Sequence, residues 1–205
     1  MPVEESLYAE QFEKRDQAPV PWLVRTFARY IVHRNDAVLA LLPPGERLLD
    51  VGCGDGDLAL KAATQFRQVN GVDIAQAAVD RARARATATG LTDARFERIN
   101  VNVEPLPWAD GTCDAVTCVA VLQLLFDPYA AMREFYRVLR PGGVLIVETN
   151  NLAYLPRRLT LLTGQLPRTS LQCGWDGGTL HYFTLESLRR LFQQCGFRVD
   201  RCSGS

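Results

Sequence analysis

The sequence has no hydrophobic run that approaches the roughly 20 apolar residues of a membrane span. Its first residues, Met1 to Ser6, include two glutamates and lack the basic and apolar regions of a signal peptide. An excess of one charge is also missing, since 23 basic and 23 acidic side chains give a formal net charge of +0. We therefore expect a cytoplasmic chain that binds no membrane and no nucleic acid, and whose partner is a small molecule or peptide.

Metal-binding patterns are absent as well. The six cysteines form no CxxC pair, and no cysteine–histidine spacing typical of a zinc site occurs. Several cysteines fall at apolar strand or helix positions, so we expect buried, reduced thiols and no metal site. With 205 residues and 47% hydrophobic content, the chain can bury the core of one domain.

Short apolar strands alternate with helical patterns, which is typical of a parallel sheet with right-handed crossovers. Asp127-Pro128 predicts the start of one helix, and Pro141-Gly142-Gly143 its end. Thr184 can cap a last helix that stops at Gly196, and Phe197–Cys202 then predicts a sixth strand. The first five strands are predicted near Arg47–Val51, Gln68–Asp73, Ala94–Asn100, Ala115–Val119 and Val144–Thr149.

A glycine-rich turn follows the first strand, in the run Leu48-Leu-Asp-Val-Gly-Cys-Gly-Asp-Gly-Asp57. Its three glycines allow positive φ angles and a close approach of bare backbone to a ligand. The spacing is GxGxG, and three aspartates crowd a turn where the dinucleotide fingerprint GxGxxG would hold a pyrophosphate. The turn therefore suits a cationic cofactor without phosphates, and it resembles motif I of the class I methyltransferases. The residues concerned are Gly52, Gly54, Gly56, Asp50, Asp55 and Asp57.

Further segments between Leu48 and about Phe197 resemble the same superfamily. The resemblance implies an α/β, Rossmann-like, doubly wound and mostly parallel sheet of strand order 3-2-1-4-5-(7)-6. Because three residues follow Cys202, the seventh strand is expected to be missing, which indicates an unpaired edge or a truncated chain. Asn102–Trp108, Asp110–Thr117 and Arg137–Leu145 resemble superfamily segments around strands three to five, and Val121–Pro128 and Gly174–Thr184 resemble the type 11 and MetW-like branch.

The resemblance also implies S-adenosylmethionine as cofactor and S-adenosylhomocysteine as product. Asp73, about 20 residues after the turn, is the expected ribose ligand, although it could instead cap the next helix. Asn102 matches a position, usually aspartate, whose side chain accepts a hydrogen bond from the adenine amino group. The cofactor site is expected beyond the carboxyl ends of the strands. Its predicted residues are Asp50, Gly52, Cys53, Gly54, Gly56, Asp73, Ile74, Asn102, Val103 and Val119.

Two acids and three arginines near this site have alternative interpretations. Asp57 could serve only as the first helix's N-terminal acid, which complements the helix dipole, and Asp55 is expected to be solvated. The run Arg81, Arg83 and Arg85 spreads its charge around a helix, which favours a solvated face.

We divide the chain into an N-terminal helical cap, residues 1–42, and a methyltransferase domain, residues 43–205, with a lid insertion at 150–183. If the acceptor is a hydroxyl or ammonium, His181 is the first candidate for a general base, with Tyr8 and Glu148 behind it. His181 could instead be a structural residue that fixes the lid. Gln123 either faces the methyl-transfer site or points to solvent.

The main functional hypothesis is therefore a methyltransferase that acts on a small molecule by in-line displacement. The alternative is a non-catalytic, MetW-like protein that binds the cofactor and serves as partner of a metabolic enzyme, or forms a homodimer. A nicotinamide-dependent oxidoreductase is disfavoured by the acid-crowded turn. Turnover separates the first two hypotheses, and binding of a reduced nicotinamide would support the third.

Overall fold

The structure, a computed structural model, describes residues 34–165 and 179–202. Its strands are β1 Gly45–Val51, β2 Phe66–Asp73, β3 Ala94–Arg98, β4 Cys113–Val119 and β5 Leu139–Glu148. Its helices are α1 Arg34–Leu39, α2 Asp57–Ala62, α3 Gln76–Ala88, α4 Pro128–Val138, α5 Leu155–Leu162 and α6 Leu185–Gln194, with a 3-10 turn at Leu122–Leu124. Within these ranges no helix is both long and apolar enough to cross a membrane.

All five strands are parallel, in the order β3-β2-β1-β4-β5. This confirms the predicted doubly wound α/β fold. Strand β1 lies in the centre, where Leu48 and Leu49 are fully buried on opposite faces of the sheet. Burial on both faces explains why the last four residues of the strand, Leu48 to Val51, are all buried and show no alternation between core and solvent. Strands β1, β2 and β4 each begin two residues before the predicted position.

Two helix starts lie where the sequence predicts them. Asp127 precedes α4, and its carboxylate accepts a hydrogen bond of 3.0 Å from the backbone N–H of Ala130. Thr184 precedes α6, where its hydroxyl accepts from the Ser187 N–H and the Ser187 hydroxyl accepts from the Thr184 N–H. The second pair is a capping box with serine in the place usually taken by glutamate or glutamine. Both helices therefore begin at polar side chains that satisfy free N–H groups.

Strand β5 begins at Leu139, five residues before the predicted start. Leu139 pairs with Cys113, and the register then shifts, so that Val144 pairs with Ala115. The turn at Pro141-Gly142-Gly143 is therefore a bulge inside the strand, where Gly142 has a φ of 78°. The predicted interruption at these three residues is confirmed, but the predicted strand lay entirely after it.

The predicted sixth strand, Phe197–Cys202, does not form a strand in the structure. The N–H of Phe197 donates to the Phe192 carbonyl at the end of α6, and its ring packs edge-on against Tyr136 of α4. These contacts hold the segment against helices, and none of the described strands pairs with it. Among the described residues β5 is thus an edge of the sheet.

Candidate functional site

A cavity of about 490 Å³ lies beyond the carboxyl ends of β1, β2 and β4. This is the place that the sheet order predicts, because the connections leave β1 in opposite directions there. The volume is within the range of small-molecule cofactor sites. Eight of the ten predicted cofactor residues line it, namely Asp50, Gly52, Cys53, Gly54, Asp73, Ile74, Asn102 and Val119.

The other two predicted cofactor residues, Gly56 and Val103, are not among the residues that line the cavity. A Cβ atom at Gly56 would lie 3.0 Å from Ala82 and 3.1 Å from the Phe96 ring, so this glycine lets α3 and β3 pack against the turn. Val103 is 73% exposed. Neither residue forms part of the cavity wall, and their contacts with the cofactor stay predictions.

The glycine turn adopts the backbone that the sequence predicts, with φ angles of 73°, 54° and 79° at Gly52, Gly54 and Gly56. The N–H groups of Gly52 and Cys53 both donate to the carbonyl of Val72, which ties the turn to β2. A Cβ atom at Gly52 would lie 2.1 Å from Cγ2 of Val121. At this position glycine is required by the backbone angle and by the close neighbour alike.

Asp50 is a buried carboxyl group at the floor of the cavity, with 2% exposure. The hydroxyl of Thr117 on β4 donates to it at 2.7 Å. Burial raises the pKa of Asp50 to about 7, with a smaller contribution from the nearby negative charge of Asp73, although the Thr117 hydrogen bond lowers it. A cation bound above Asp50 would stabilise its ionised form. The cavity floor is therefore suited to a positively charged ligand.

Asp73 connects the turn to the start of α3. One carboxylate oxygen accepts from the Gly54 N–H at 2.8 Å, and the other accepts from the Ala75 N–H at 2.9 Å. Ala75 is the N-cap of α3 and no side chain caps that helix, so the alternative role of Asp73 as a helix cap is wrong, although its two contacts order the backbone between the turn and α3. Each carboxylate oxygen has a second lone pair, so the same group can also accept hydroxyl hydrogen bonds from a ribose. That second role stays a prediction.

Arg85 of α3 bridges the two remaining acids of the turn. Its guanidinium donates to the backbone carbonyl of Asp55 at 3.1 Å, lies 2.8 Å from the Asp55 carboxylate, and donates to Asp57 at 3.1 Å. Asp55 is therefore ion-paired with Arg85 while its side chain stays 36% exposed, and the basic run on α3 is not simply a solvated face. Because Arg85 binds Asp55 and Asp57, the attraction of the cavity for a cationic ligand depends on Asp50 and Asp73.

Asp57 is also held by Lys61 and by Asn35 of α1. Burial alone would raise the pKa of Asp57, but the hydrogen bonds from Lys61, Asn35 and Arg85 outweigh it and lower the pKa to about 2. This acid therefore stays ionised at all ordinary pH values. It fastens the N-terminus of α2 to both α1 and α3.

We expect the substitution Arg85→Gln to weaken S-adenosylhomocysteine binding about 3- to 10-fold, because the turn loses its bridge from α3 and becomes less well ordered. The melting temperature should change little, since both ion pairs are partly exposed. Calorimetric titration measures the affinity. The matched control is Arg83→Gln, two residues along the same helix, where the side chain donates to the Phe96 carbonyl instead. Equal affinities for the two variants would contradict a role of Arg85 in ordering the turn.

Asparagines form the cavity wall beyond β3. The side-chain oxygen of Asn102 already accepts from the Phe126 N–H at 2.8 Å, which leaves one lone pair for a ligand donor. Asn100 is 3% exposed, accepts from the Asn102 N–H and also lines the cavity, although it is not among the predicted site residues. Its place just beyond the carboxyl end of β3 is the signal in the sequence that could have identified it. Arg34 and Asn35 of α1 line the cavity too and were missed.

The candidate catalytic residues lie away from the cavity wall or outside the described ranges. Gln123 is 5% exposed and accepts from the Thr149 hydroxyl at 3.0 Å, so its predicted alternative orientation toward solvent is wrong. The backbone carbonyl of Gln123 accepts from the N–H of His181, whose Nε2 lies 3.3 Å from the Phe126 carbonyl. Neither side chain lines the cavity. Tyr8 lies outside the described residues, so the catalytic roles stay predictions.

Comparison with known proteins supports the same interpretation. A family model for a methyltransferase domain matches residues 49–147, from β1 to β5. The chain is 37% identical over 109 residues to a ubiquinone biosynthesis O-methyltransferase of Xanthomonas campestris pv. campestris (strain B100), an overlap of 53% of this chain and 44% of that protein. Residues 49–147 belong to the class I S-adenosylmethionine-dependent methyltransferase superfamily. The nicotinamide alternative is therefore abandoned.

Two further proteins extend the comparison. It is 36% identical over 114 residues to a 27-O-demethylrifamycin SV methyltransferase of Amycolatopsis mediterranei (strain S699), covering 54% of this chain and 42% of that protein. The crystal structure of the [4+2]-cyclase SpnF has a TM-score of 0.61 and 31% identity, with coverage of 79% of this chain and 56% of that one. The chain spans less than half the length of these two curated relatives, the ubiquinone and rifamycin methyltransferases. The narrower MetW-like assignment stays a prediction.

The described residues contain no group of three or more histidine, cysteine, aspartate and glutamate side chains that could hold a metal ion. The superfamily cofactor, by contrast, fits the cavity. It carries an ammonium and a sulfonium, and the cavity floor presents a buried carboxyl group beside bare glycine backbone.

Proposed function

We propose that the chain is an S-adenosylmethionine-dependent methyltransferase that acts on a small-molecule acceptor. The observation that carries the proposal is Asp50, a carboxyl group buried at the floor of the cavity beside the glycine turn. A buried acid whose ionisation is disfavoured gains most from a bound cation. Asp50 attracts the positive end of the cofactor, and Asp73 accepts the ribose hydroxyls. Asn102 accepts from the adenine amino group.

When bound, the cofactor supplies a methyl group on an already activated sulfonium. The work left to the chain is to align an acceptor with the methyl carbon and to exclude water, which together contribute up to roughly 7–11 kcal/mol. Val121, Leu124 and Leu125 form an apolar wall after β4 that suits this task. One curated relative is named as a ubiquinone biosynthesis O-methyltransferase and another as a 27-O-demethylrifamycin SV methyltransferase, which favours an oxygen atom as the acceptor.

The non-catalytic, MetW-like partner protein is the alternative proposal, together with a partner enzyme or a homodimer. The two proposals differ in turnover and in co-purification. A methyltransferase methylates at least one compound in a broad pool of phenols, alcohols and amines. A partner protein methylates none and co-purifies with an enzyme. Cytoplasmic localisation stays a prediction.

Calorimetric titration with S-adenosylhomocysteine tests the proposal, and we expect a micromolar dissociation constant for the unaltered chain and no binding of NADH. We expect Asp73→Asn to weaken this affinity about 10- to 100-fold, because a hydrogen bond to a charged acceptor contributes about 1.5–3 kcal/mol. Asp80→Asn is the matched control, since Asp80 lies exposed on α3 beside Arg83. An unaltered chain that binds NADH or neither ligand would contradict the proposed function.

A further inference from the structure

Glu148 is an acidic residue that neither the fold nor the proposed cofactor contacts explain. It is the last residue of β5 and pairs in register with Val119 of β4. Its backbone carbonyl accepts from the N–H of Ala120 at 3.0 Å. Val119 and Ala120 both line the cavity, so Glu148 lies one strand away from the cavity wall.

The pairing register places Glu148 on the same face of the sheet as Asp50. Asp50 pairs with Thr117, and Thr117 pairs with Ile146, so these three residues form one row across β1, β4 and β5. Glu148 follows Ile146 by two residues, and side chains two residues apart in a strand point to the same face. Glu148 therefore lies one row beyond Asp50 toward the carboxyl end of the sheet, over β5.

The carboxylate of Glu148 has an unused acceptor. Among the described residues, its Oε2 atom is buried and has no hydrogen-bond partner. The nearest cation in those ranges, Nη1 of Arg34, lies 3.8 Å away, which is too long for a hydrogen bond. Arg34 lines the cavity from α1. A buried carboxylate oxygen without a donor is unfavourable, so a ligand N–H or O–H beside it would be stabilised.

Three described groups interact electrostatically with Glu148. They are Arg34 of α1, Arg157 at the start of α5, and the thiol of Cys118 in β4. Burial raises the pKa of Glu148, while Arg34, the Ala120 N–H and Arg157 lower it. A carboxylate whose pKa is raised binds a proton more readily than an exposed one.

We infer that Glu148 is the catalytic residue that accepts the proton of the methyl acceptor, and that the acceptor is a hydroxyl or a protonated amine. The inference rests on the proposed function. In the transfer, the bond between carbon and sulfur breaks and its electron pair stays on sulfur. The new bond forms between the acceptor atom and the methyl carbon, and the acceptor proton passes to the Glu148 carboxylate. A carboxylate acceptor has no proton to lose and would be repelled.

Sinefungin tests the inference without a known acceptor. This cofactor analogue carries an amino group on the carbon that replaces the sulfonium, so its ammonium occupies the region of the transferred methyl. We expect Glu148→Gln to lower sinefungin affinity about tenfold while leaving S-adenosylhomocysteine affinity unchanged. Glu148→Asp should restore part of the loss. In the unaltered chain, the ratio of sinefungin affinity to S-adenosylhomocysteine affinity should decrease as the pH falls through the pKa of Glu148, because the carboxylate then becomes protonated.

Glu46→Gln is the matched control, because Glu46 lies at the other end of the sheet and its carboxylate also lies 3.8 Å from an arginine, Arg67. An unchanged ratio of the two affinities in Glu148→Gln would overturn the inference and leave the proposed function intact. Failure of the unaltered chain to bind either ligand would overturn both. A purely structural role would lower the melting temperature and both affinities together, which also contradicts the inference.

Discussion

The substitution Asp50→Asn is expected to stabilise the ligand-free protein at pH 8 and to weaken S-adenosylmethionine binding. In the folded chain the pKa of Asp50 is raised from 3.8 to about 7 by burial. A difference of this size corresponds to up to about 4 kcal/mol of unfolding free energy. Asparagine has the same shape, can still accept from Thr117, and carries no charge. It removes the charge whose burial destabilises the native state.

The sign of the pH dependence follows from proton binding. The folded chain binds the Asp50 proton more tightly than the unfolded chain does, so this contribution to stability is complete below pH 4 and decreases as the pH rises to about 7. The advantage of Asp50→Asn should therefore be small at pH 4 and largest above pH 7. Urea unfolding of both proteins at several pH values measures it. Asp36→Asn, an exposed position on α1, is the control.

The Asp50 charge, which destabilises the ligand-free protein, should strengthen cofactor binding. Loss of a buried charge pair between Asp50 and the cofactor should weaken binding about 30- to 100-fold, or about 2–3 kcal/mol. Below pH 7 the unaltered chain should release a proton when the cation binds, because binding favours ionised Asp50. Calorimetry at pH 6.5 in two buffers of different ionisation enthalpy detects this release. Equal affinities of the two proteins would show that Asp50 does not contact the cofactor charge.

The features that the sequence predicted are those carried by contiguous residues. The glycine turn, the acids at the ends of β1 and β2, and the cap of α4 each depend on a few neighbouring positions, and the structure has the predicted conformation at all of them. The sheet order followed from a resemblance that extends over the same segments. Local pattern is sufficient there because backbone angles and strand ends are determined locally.

The features that the sequence did not predict depend on contacts between distant positions. Arg85 lies 30 residues after Asp55, so an acid-rich turn appeared more negative in the sequence than it is in the fold. Glu148 was a lesser base candidate in the sequence, and its position one strand from the cavity follows from its register with Val119, which a one-dimensional pattern does not contain. The sixth strand was predicted at Phe197–Cys202, but contacts of Phe197 with α4 and with the end of α6 hold that segment against helices instead of beside β5.

Gly52→Ala is expected to lower the unfolding free energy by about 3 kcal/mol and to abolish S-adenosylhomocysteine binding. Alanine at a φ of 73° costs about 1 kcal/mol. The added methyl group would lie 2.1 Å from Val121, and relieving that overlap costs about 2 kcal/mol more. For a chain of this size the melting temperature should fall by about 6–12 °C. Because Gly52 and Val121 both line the cavity, the displaced backbone should no longer fit the cofactor.

Gly90→Ala separates the cost of the backbone angle from the cost of the overlap with Val121. Gly90 has a φ of 71°, but a Cβ atom there would have no neighbour within 4 Å. This variant should lose about 1 kcal/mol and bind the ligand normally. The double substitution Gly52→Ala with Val121→Ala should recover the part of the loss that comes from overlap and keep the part that comes from the backbone angle. Equal stabilities of Gly52→Ala and Gly90→Ala would mean that backbone angle alone requires glycine at the turn, and that Val121 does not restrict the cavity.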